Sequence, residues 1–379
     1  MKYSTSSELA NCNTTLSLED LPDELFIKVF SSLETRDLIC LGQLSTRIRA
    51  ISHDEQFWKK MNLYLKSIPA RFLKIAINNG CKYLSLCPNQ VNGNLGLDQA
   101  SSLIYLKVQQ PKNYLFNYNH FTKFSVLKEL LSSCHSLQKL SMNSVTLHFD
   151  EVYTICNQNG RTLQILNLSG CQIKGRWEIE LKLVQTIVRS CTNLKEVNFD
   201  STNLAEEAIQ YLVENITPSI ELLSLNYVVR VSDEHIKILV NRCHQLKTLN
   251  LAHTFAISTG SLKAIIENLK PSLERLDVSG TQLINPMNLL DLRAMPKLQI
   301  LIGTPGIGIT EQLQNDLPNL VIYDFCFDEV DHQQFFDNST LSENLLDKDG
   351  IWEIKAKPLK LFGEDTRHKM TIQVEIDGP

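Results

Sequence analysis

The 379-residue chain predicts a mixed architecture: a small all-α module of three helices, then an α/β solenoid of about ten repeats, then a C-terminal tail. Three observations predict it. A leucine pattern recurs every 26 to 31 residues, an apolar helical stripe fills the interval between recurrences, and a dense run of helix signals at 18–60 precedes them all. Composition agrees: 43% hydrophobic and 21% charged residues describe a globular chain of two or more units. A formal charge of -5 and a pI near 6.0 argue against nucleic acid as a partner.

Residues 1–17 are rich in Ser, Thr and Asn and are expected to be a polar, disordered leader without the apolar core of a signal peptide. Nowhere do about 18 apolar residues follow one another, so no membrane partner is expected and an intracellular location is. Ten cysteines without C-x-x-C spacing fit reduced, structural thiols better than disulfides or zinc.

The helical module occupies 18–60. In "LEDLPDELFIKVFSSLETRDL", Leu25, Val29, Phe30 and Leu33 recur at helical spacing, Pro22 suits a first-turn position, and Asp23 and Glu24 complement the positive end of the helix dipole. Thr35 can cap a second helix that carries Leu38 and Leu41 and continues through Leu44 and Ile48. Asp54 can start a short third turn presenting Phe57 and Trp58. Three helices in about 40 residues are too few to bury their own apolar surface, so part of it is expected to dock on the first repeats or on another protein.

Residues 61–80 are expected as a linker helix region and 81–327 as the repeats. "TLQILNLSGCQI" places Leu163, Leu166 and Leu168 at L-x-x-L-x-L spacing. The first apolar position of that pattern falls at 137, 163, 194, 220, 246 and 273, the period of a leucine-rich repeat. Between strands, "DEHIKILVNRC" puts Ile236, Leu239, Val240 and Cys243 on one helical face, with Ser232 as the cap. Each repeat is then one strand and one antiparallel helix, stable only when stacked on its neighbours. Cys134, Cys191 and Cys243 stand three residues before a strand's first leucine position, where packing is the expected role.

Alternation along each strand sends the residues between the leucines to the concave sheet face. That phase exposes Glu196, Asn198 and Asp200, then Ser224 and Asn226, then Thr248 and Asn250, then Arg275 and Asp277, as candidate contacts for a substrate or accessory protein. Lys139 and Arg275 are the only bases in this row, so an arginine cluster able to hold a phosphate unaided is missing. At the far end Ile300, Ile302 and Ile322 would leave apolar surface uncovered. The tail, 328–379, contains "GIWEIKAKPLKLF", and Ile351, Trp352 and Ile354 are expected to pack back over that concave face.

No G-x-S-x-G, H-E-x-x-H or Walker loop occurs, and "GTPGIG" at 303–308 lacks a phosphate-binding spacing. His235 and His244 flank a repeat helix and are expected on its surface, without a spaced ligand partner. No catalytic residue, metal site or cofactor is expected.

From Leu21 to Trp58 the Leu-Pro, the acidic pair, the amphipathic helix, the Leu after Arg-Asp and the closing Asp and Trp resemble an F-box. One departure is that the family's usual Trp stands here as Ile48. The resemblance implies binding of the adaptor S-phase kinase-associated protein 1, and through it a cullin and a RING protein. It assigns Leu21, Pro22, Leu25, Val29, Phe30, Leu33, Leu38, Leu41 and Trp58 to that contact or to the helices presenting it. The order of F-box, repeats and tail, with "LQNDLPNLVI" and "GIWEIKAKPLKL", is similar to the F-box/leucine-rich-repeat proteins of the S-phase kinase-associated protein 2 kind. It implies a non-catalytic substrate-recognition subunit of an SCF-type ubiquitin ligase. Its substrates would be phosphorylated cell-cycle regulators such as cyclin-dependent kinase inhibitors, read with an accessory protein of the cyclin-dependent-kinase subunit family. Nuclear and cytoplasmic location goes with it. A binding or inhibitory scaffold without ligase function is the alternative.

Overall fold

A computed structural model describes residues 21–33, 35–63, 66–87, 90–97, 102–109, 124–303 and 307–324. The chain divides into two compact units, one ending at Gln138 and the other beginning at Lys139.

The first unit opens with α1 (Asp23–Phe30), α2 (Thr35–Leu41), α3 (Thr46–Ser52) and the single turn α4 (Glu55–Trp58). Four helices thus replace the three expected, because the second does not run on through Leu44 to Ile48. It stops at Leu41; the chain turns at Gly42, where a Cβ would press on Ser52 Oγ, and restarts with Ser45 accepting the Ile48 amide at 3.2 Å. Asp54 caps α4 by accepting the Gln56 amide at 3.0 Å. Phe26, Phe30, Leu38, Ile48 and Ile51 form the core of this module. Ile48 therefore fills the interior.

Beyond it come β1 (Lys60–Leu63), β2 (Ile68–Pro69), α5 (Ala70–Asn78), β3 (Tyr83–Leu86), β4 (Val91–Asn92), β5 (Tyr105–Gln109) and α6 (Phe124–Ser133). β1 pairs in parallel with β3, and β3 with β5, so a strand at Lys60–Leu63 precedes the first strand the leucine pattern marks. Trp58 fastens the helical module to this part of the unit. It is fully buried, its indole N–H donates to the Ser52 carbonyl at 2.8 Å, and its ring lies 6.2 Å from that of Phe72 on α5. The docking expected of the small module is thus met in part by its own chain.

The second unit is regular. Its strands are β6 (Lys139–Asn143), β7 (Thr146–Leu147), β8 (Ile165–Asn167), β9 (Gln172–Ile173), β10 (Glu196–Asn198), β11 (Leu222–Ser224), β12 (Thr248–Asn250), β13 (Arg275–Asp277), β14 (Ile300–Gly303) and β15 (Val321–Asp324). Its helices are α7 (Phe149–Asn159), α8 (Trp177–Ser190), α9 (Glu206–Asn215), α10 (Asp233–Val240), α11 (Thr259–Leu269), a 3-10 helix at Pro286–Ala294, and α12 (Ile307–Asp316). Eight strands pair in parallel in the order β6-β8-β10-β11-β12-β13-β14-β15, and β7 pairs separately with β9. Register is constant: Lys139, Ile165, Glu196, Leu222, Thr248, Arg275, Ile300 and Val321 align. Parallel neighbours require a crossover, and a helix supplies it in each interval. Leu140, Leu166, Val197, Leu223, Leu249, Leu276 and Leu301 form the buried row at the centre of these strands.

The cysteines match their expected packing role. Of the eight among the described residues all but Cys40 are buried. Burial pushes the Cys134 thiol up to about 12 and that of Cys243 up to about 11, which removes reactivity at neutral pH. His235 differs from its expected surface position. It is buried, and its ring nitrogen accepts the Ser232 amide at 3.1 Å, closing a capping box at the start of α10. Burial holds its pKa below the usual histidine value.

Candidate functional site

The apolar residues of α1 divide between two faces. Phe26 and Phe30 turn inward, with ring centroids 5.6 Å apart. Leu25 and Val29, one residue out of step, point to solvent and are 47% and 53% exposed. Leu44 in the turn before α3 is 66% exposed, and Pro22 is exposed beside Leu25. Among the described residues Leu25, Val29 and Leu44 are the exposed large apolar side chains of the helical module, a surface that water disfavours and a partner can cover.

Phe30, Leu38 and Trp58 are buried and present that surface without forming it. Leu21, Leu33 and Leu41 are half-buried against the same core. Arg47 holds the start of α1 in place: its guanidinium donates to the Asp23 carboxylate at 2.6 Å and to the Leu21 carbonyl at 2.7 Å, and stacks over the Phe26 ring.

The polar row of the repeats needs correction. Glu196, Asn198, Asp200, Ser224, Asn226, Thr248, Asn250 and Asp277 are buried, and Arg275 is half-buried, where alternation alone predicted solvent-facing side chains. Several of their polar atoms bond one another or the strand-end backbone. At the strand ends an Asx pattern repeats: Asn167, Asn198, Asn250 and Asp277 each accept the backbone amide two residues on, at 2.9, 2.7, 2.9 and 3.0 Å. Asp200 joins neighbouring repeats by accepting the Ser224 hydroxyl at 2.5 Å, the Asn226 amide at 2.8 Å and the Asn198 side-chain amide at 3.1 Å. Burial pushes its carboxyl up to about 6, against the pull of these hydrogen bonds.

Of the apolar end, Ile302 is buried and Ile300 and Ile322 are half-buried. Ile351, Trp352 and Ile354 lie outside the described residues, as does the leader. Among the described residues no His/Cys/Asp/Glu cluster could hold a metal ion, and no helix is long and apolar enough to cross a membrane.

Two families match the chain: F-box-like over residues 18–64, and the SKP2 LRR domain over residues 83–357. The second match spans well over half of the chain. The chain belongs to the F-box/leucine-rich-repeat family. Within the family, F-box/LRR-repeat protein 12 of Homo sapiens is 23% identical over 304 residues, covering 78% of this chain and 76% of that protein. A 46-residue stretch of the chain is 48% identical to "Ubiquitin ligase complex F-box protein UFO1" of Saccharomyces cerevisiae, 12% of this chain and 7% of UFO1. The DNA repair protein rhp7 of Schizosaccharomyces pombe is 30% identical over 180 residues, 46% of this chain; the match spans about a third of rhp7, 31%. A crystal structure of the Rad7 and Elc1 complex in yeast aligns with TM-score 0.41 at 15% identity, over 80% of this chain and 93% of that one.

Proposed function

We propose that this protein is the substrate-recognition subunit of an SCF-type ubiquitin ligase, bound to an S-phase kinase-associated protein 1 adaptor and through it to a cullin and a RING protein. The observation that carries the reading is the outward phase of Leu25, Val29 and Leu44 on an F-box whose core is already complete without them. The likeness of a 46-residue stretch of the chain to a ubiquitin ligase complex F-box protein supports it. The chain contributes proximity, not bond chemistry: holding a substrate lysine beside a loaded ubiquitin carrier raises their effective concentration.

The ligand of the repeats is then a protein substrate, in nucleus and cytoplasm, of the phosphorylated cell-cycle class. Only Lys139 and Arg275 supply positive charge along the polar row, which supports phosphate reading by an accessory protein of the cyclin-dependent-kinase subunit family.

The test is adaptor capture by the full chain. Leu25→Asp with Val29→Asp is expected to abolish capture while leaving the melting temperature within a few degrees, because both side chains are solvent-facing. Undiminished capture by this double variant rejects the reading.

A further inference from the structure

Three Asn-Gly dipeptides occur in the sequence: Asn79–Gly80, Asn92–Gly93 and Asn159–Gly160. The pairing matters chemically. A glycine nitrogen can attack the side-chain carboxamide of the asparagine before it, because no Cβ on the glycine stands in the way. Attack needs a backbone able to swing and a nitrogen not held by an acceptor. The three sites differ in both.

Two are locked. Asn159 closes α7 and is fully buried, and the Gly160 amide donates to the Cys156 carbonyl at 2.9 Å. Gly160 is also wedged against the Ser190 carbonyl at the end of α8, which leaves this backbone no room to turn. Asn79 follows α5; its amide donates to the Ile75 carbonyl at 2.9 Å and that of Gly80 to the Ile77 carbonyl at 3.1 Å. The side-chain nitrogen of Asn79 is buried, and Glu55 packs on Gly80, its Cγ 2.9 Å from where a Cβ would stand.

Asn92–Gly93 is open. Asn92 is exposed at the end of β4, which pairs with β2 only through Ile68–Val91 and Pro69–Asn92. Gly93 follows with φ of 100°, a left-handed conformation that glycine adopts without strain. Its amide donates to no acceptor among the described residues, and a Cβ there would meet the Ala70 Cβ at an ordinary 3.7 Å. The Asn92 side-chain nitrogen donates to the Ser67 hydroxyl at 3.1 Å, an exposed bond that water replaces at little cost. Swinging Gly93 onto the carboxamide thus opens only the end of a two-residue ladder.

We infer that Asn92 is a modification site, converted without an enzyme to aspartate and isoaspartate, and that conversion loosens the seat of α5. Hydroxide takes the Gly93 amide proton, the nitrogen bonds to Asn92 Cγ, and the Cγ–Nδ2 bond breaks as ammonia leaves with a proton from water. The resulting succinimide takes up water at either carbonyl. Opening on one side gives aspartate and on the other isoaspartate. The sum is asparagine plus water going to a carboxylic acid plus ammonia, with nothing oxidised or reduced. Either product sets a carboxylate beside Ser67, and isoaspartate adds a methylene to the backbone of β4. β2 leads directly into α5, on whose Phe72 ring Trp58 packs, so a displaced β4 is felt at the joint with the F-box helices.

The experiment ages the full chain in mildly alkaline buffer, folded and in urea, and maps the digest by mass spectrometry. Isoaspartate is located in the peptides by methyl transfer from labelled S-adenosylmethionine with a purified isoaspartate methyltransferase. Urea removes the fold, so the three dipeptides report only their local sequences there. In the folded protein, conversion at Asn92 relative to Asn79 and Asn159 is expected to exceed its ratio in urea by at least about tenfold, because locked sites react only from a rare opened state. Conversion should rise with pH, since the attacking amide must lose its proton. Asn92→Gln lengthens the side chain, which disfavours the ring, and should keep on ageing the melting temperature that wild type loses. A folded ratio equal to that in urea, no conversion at Asn92, or a melting loss that Asn92→Gln shares would each overturn the proposal.

Discussion

Asp200 and Ser224 belong to neighbouring repeats, and the hydroxyl of one donates to the carboxylate of the other at 2.5 Å in a region closed to water. Burial of the Asp200 carboxyl makes stability depend on pH, and the Ser224 hydrogen bond opposes the shift. Burial raises the Asp200 carboxyl from an ordinary 3.8 to about 6, so between those values the folded chain holds a proton that the unfolded chain has released. The stabilisation is complete below the unfolded value and is lost as pH rises through about 6. Its size is about 3 kcal/mol. Urea unfolding of wild type and Asp200→Asn at about pH 4 and pH 7 should show the variant lacking this component of the pH dependence; parallel profiles would refute it.

Asp233 acts with the opposite sign. Burial pushes its carboxyl up, but the amide of Ser258 at 2.8 Å and the hydroxyls of Ser258 and Ser261 at 2.5 Å outweigh that and hold it below the usual carboxylate range. Stability from this site is present at neutral pH and lost as pH falls through the lowered value. Ser258 also caps α11, so Asp233→Ala removes an anchor between two repeats. Loss of charged hydrogen bonds predicts a cost of about 1.5–3 kcal/mol, read by denaturant unfolding at neutral pH and shrinking in acid.

Trp58 joins the F-box helices to α5. Trp58→Ala removes a fully buried ring and should destabilise the first unit by about 3–5 kcal/mol. Trp58→Phe keeps most of the packing and leaves the Ser52 carbonyl without its 2.8 Å donor, with an expected cost of about 1–3 kcal/mol. Because Trp58 does not reach the surface, adaptor affinity of the folded Trp58→Phe protein should stay near wild type. A selective loss of affinity in calorimetry would give Trp58 a direct contact.

The repeats were legible because their period is imposed by stacking, and a period survives in sequence. Leu166, Val197, Leu223, Leu249 and Leu276 fall where the pattern puts them. In α1 the stripe was legible but its direction was not: Leu25, Phe26, Val29 and Phe30 are all apolar, and packing against Ile48 and Ile51 decides that the phenylalanines go inside. Alternation likewise identified the polar row but carried no information on its burial. His235 was misread as a surface residue because a cap to Ser232 leaves no periodic mark. Left-handed corners at Ser144, Gly170, Ser201, Tyr227, His253 and Gly280 did leave a signal, the two glycines at one position of the repeat, visible only when successive repeats are aligned.

Gly280 offers the sharpest test of that corner row. A Cβ there would meet the His253 ring, and its φ of 67° strains any L side chain. Gly280→Ala therefore combines a backbone penalty of about 1–2 kcal/mol with displacement of the ring. His253→Gly removes the obstacle but not the backbone term, so the double variant should be less destabilised than the two single changes summed. A coupling of about 0.5–3 kcal/mol in a double-mutant cycle is expected for groups in direct contact. Strict additivity would mean that the His253 ring does not lie over Gly280 in solution, and its stack on the Tyr227 ring, 4.2 Å between centroids, would then lack its support.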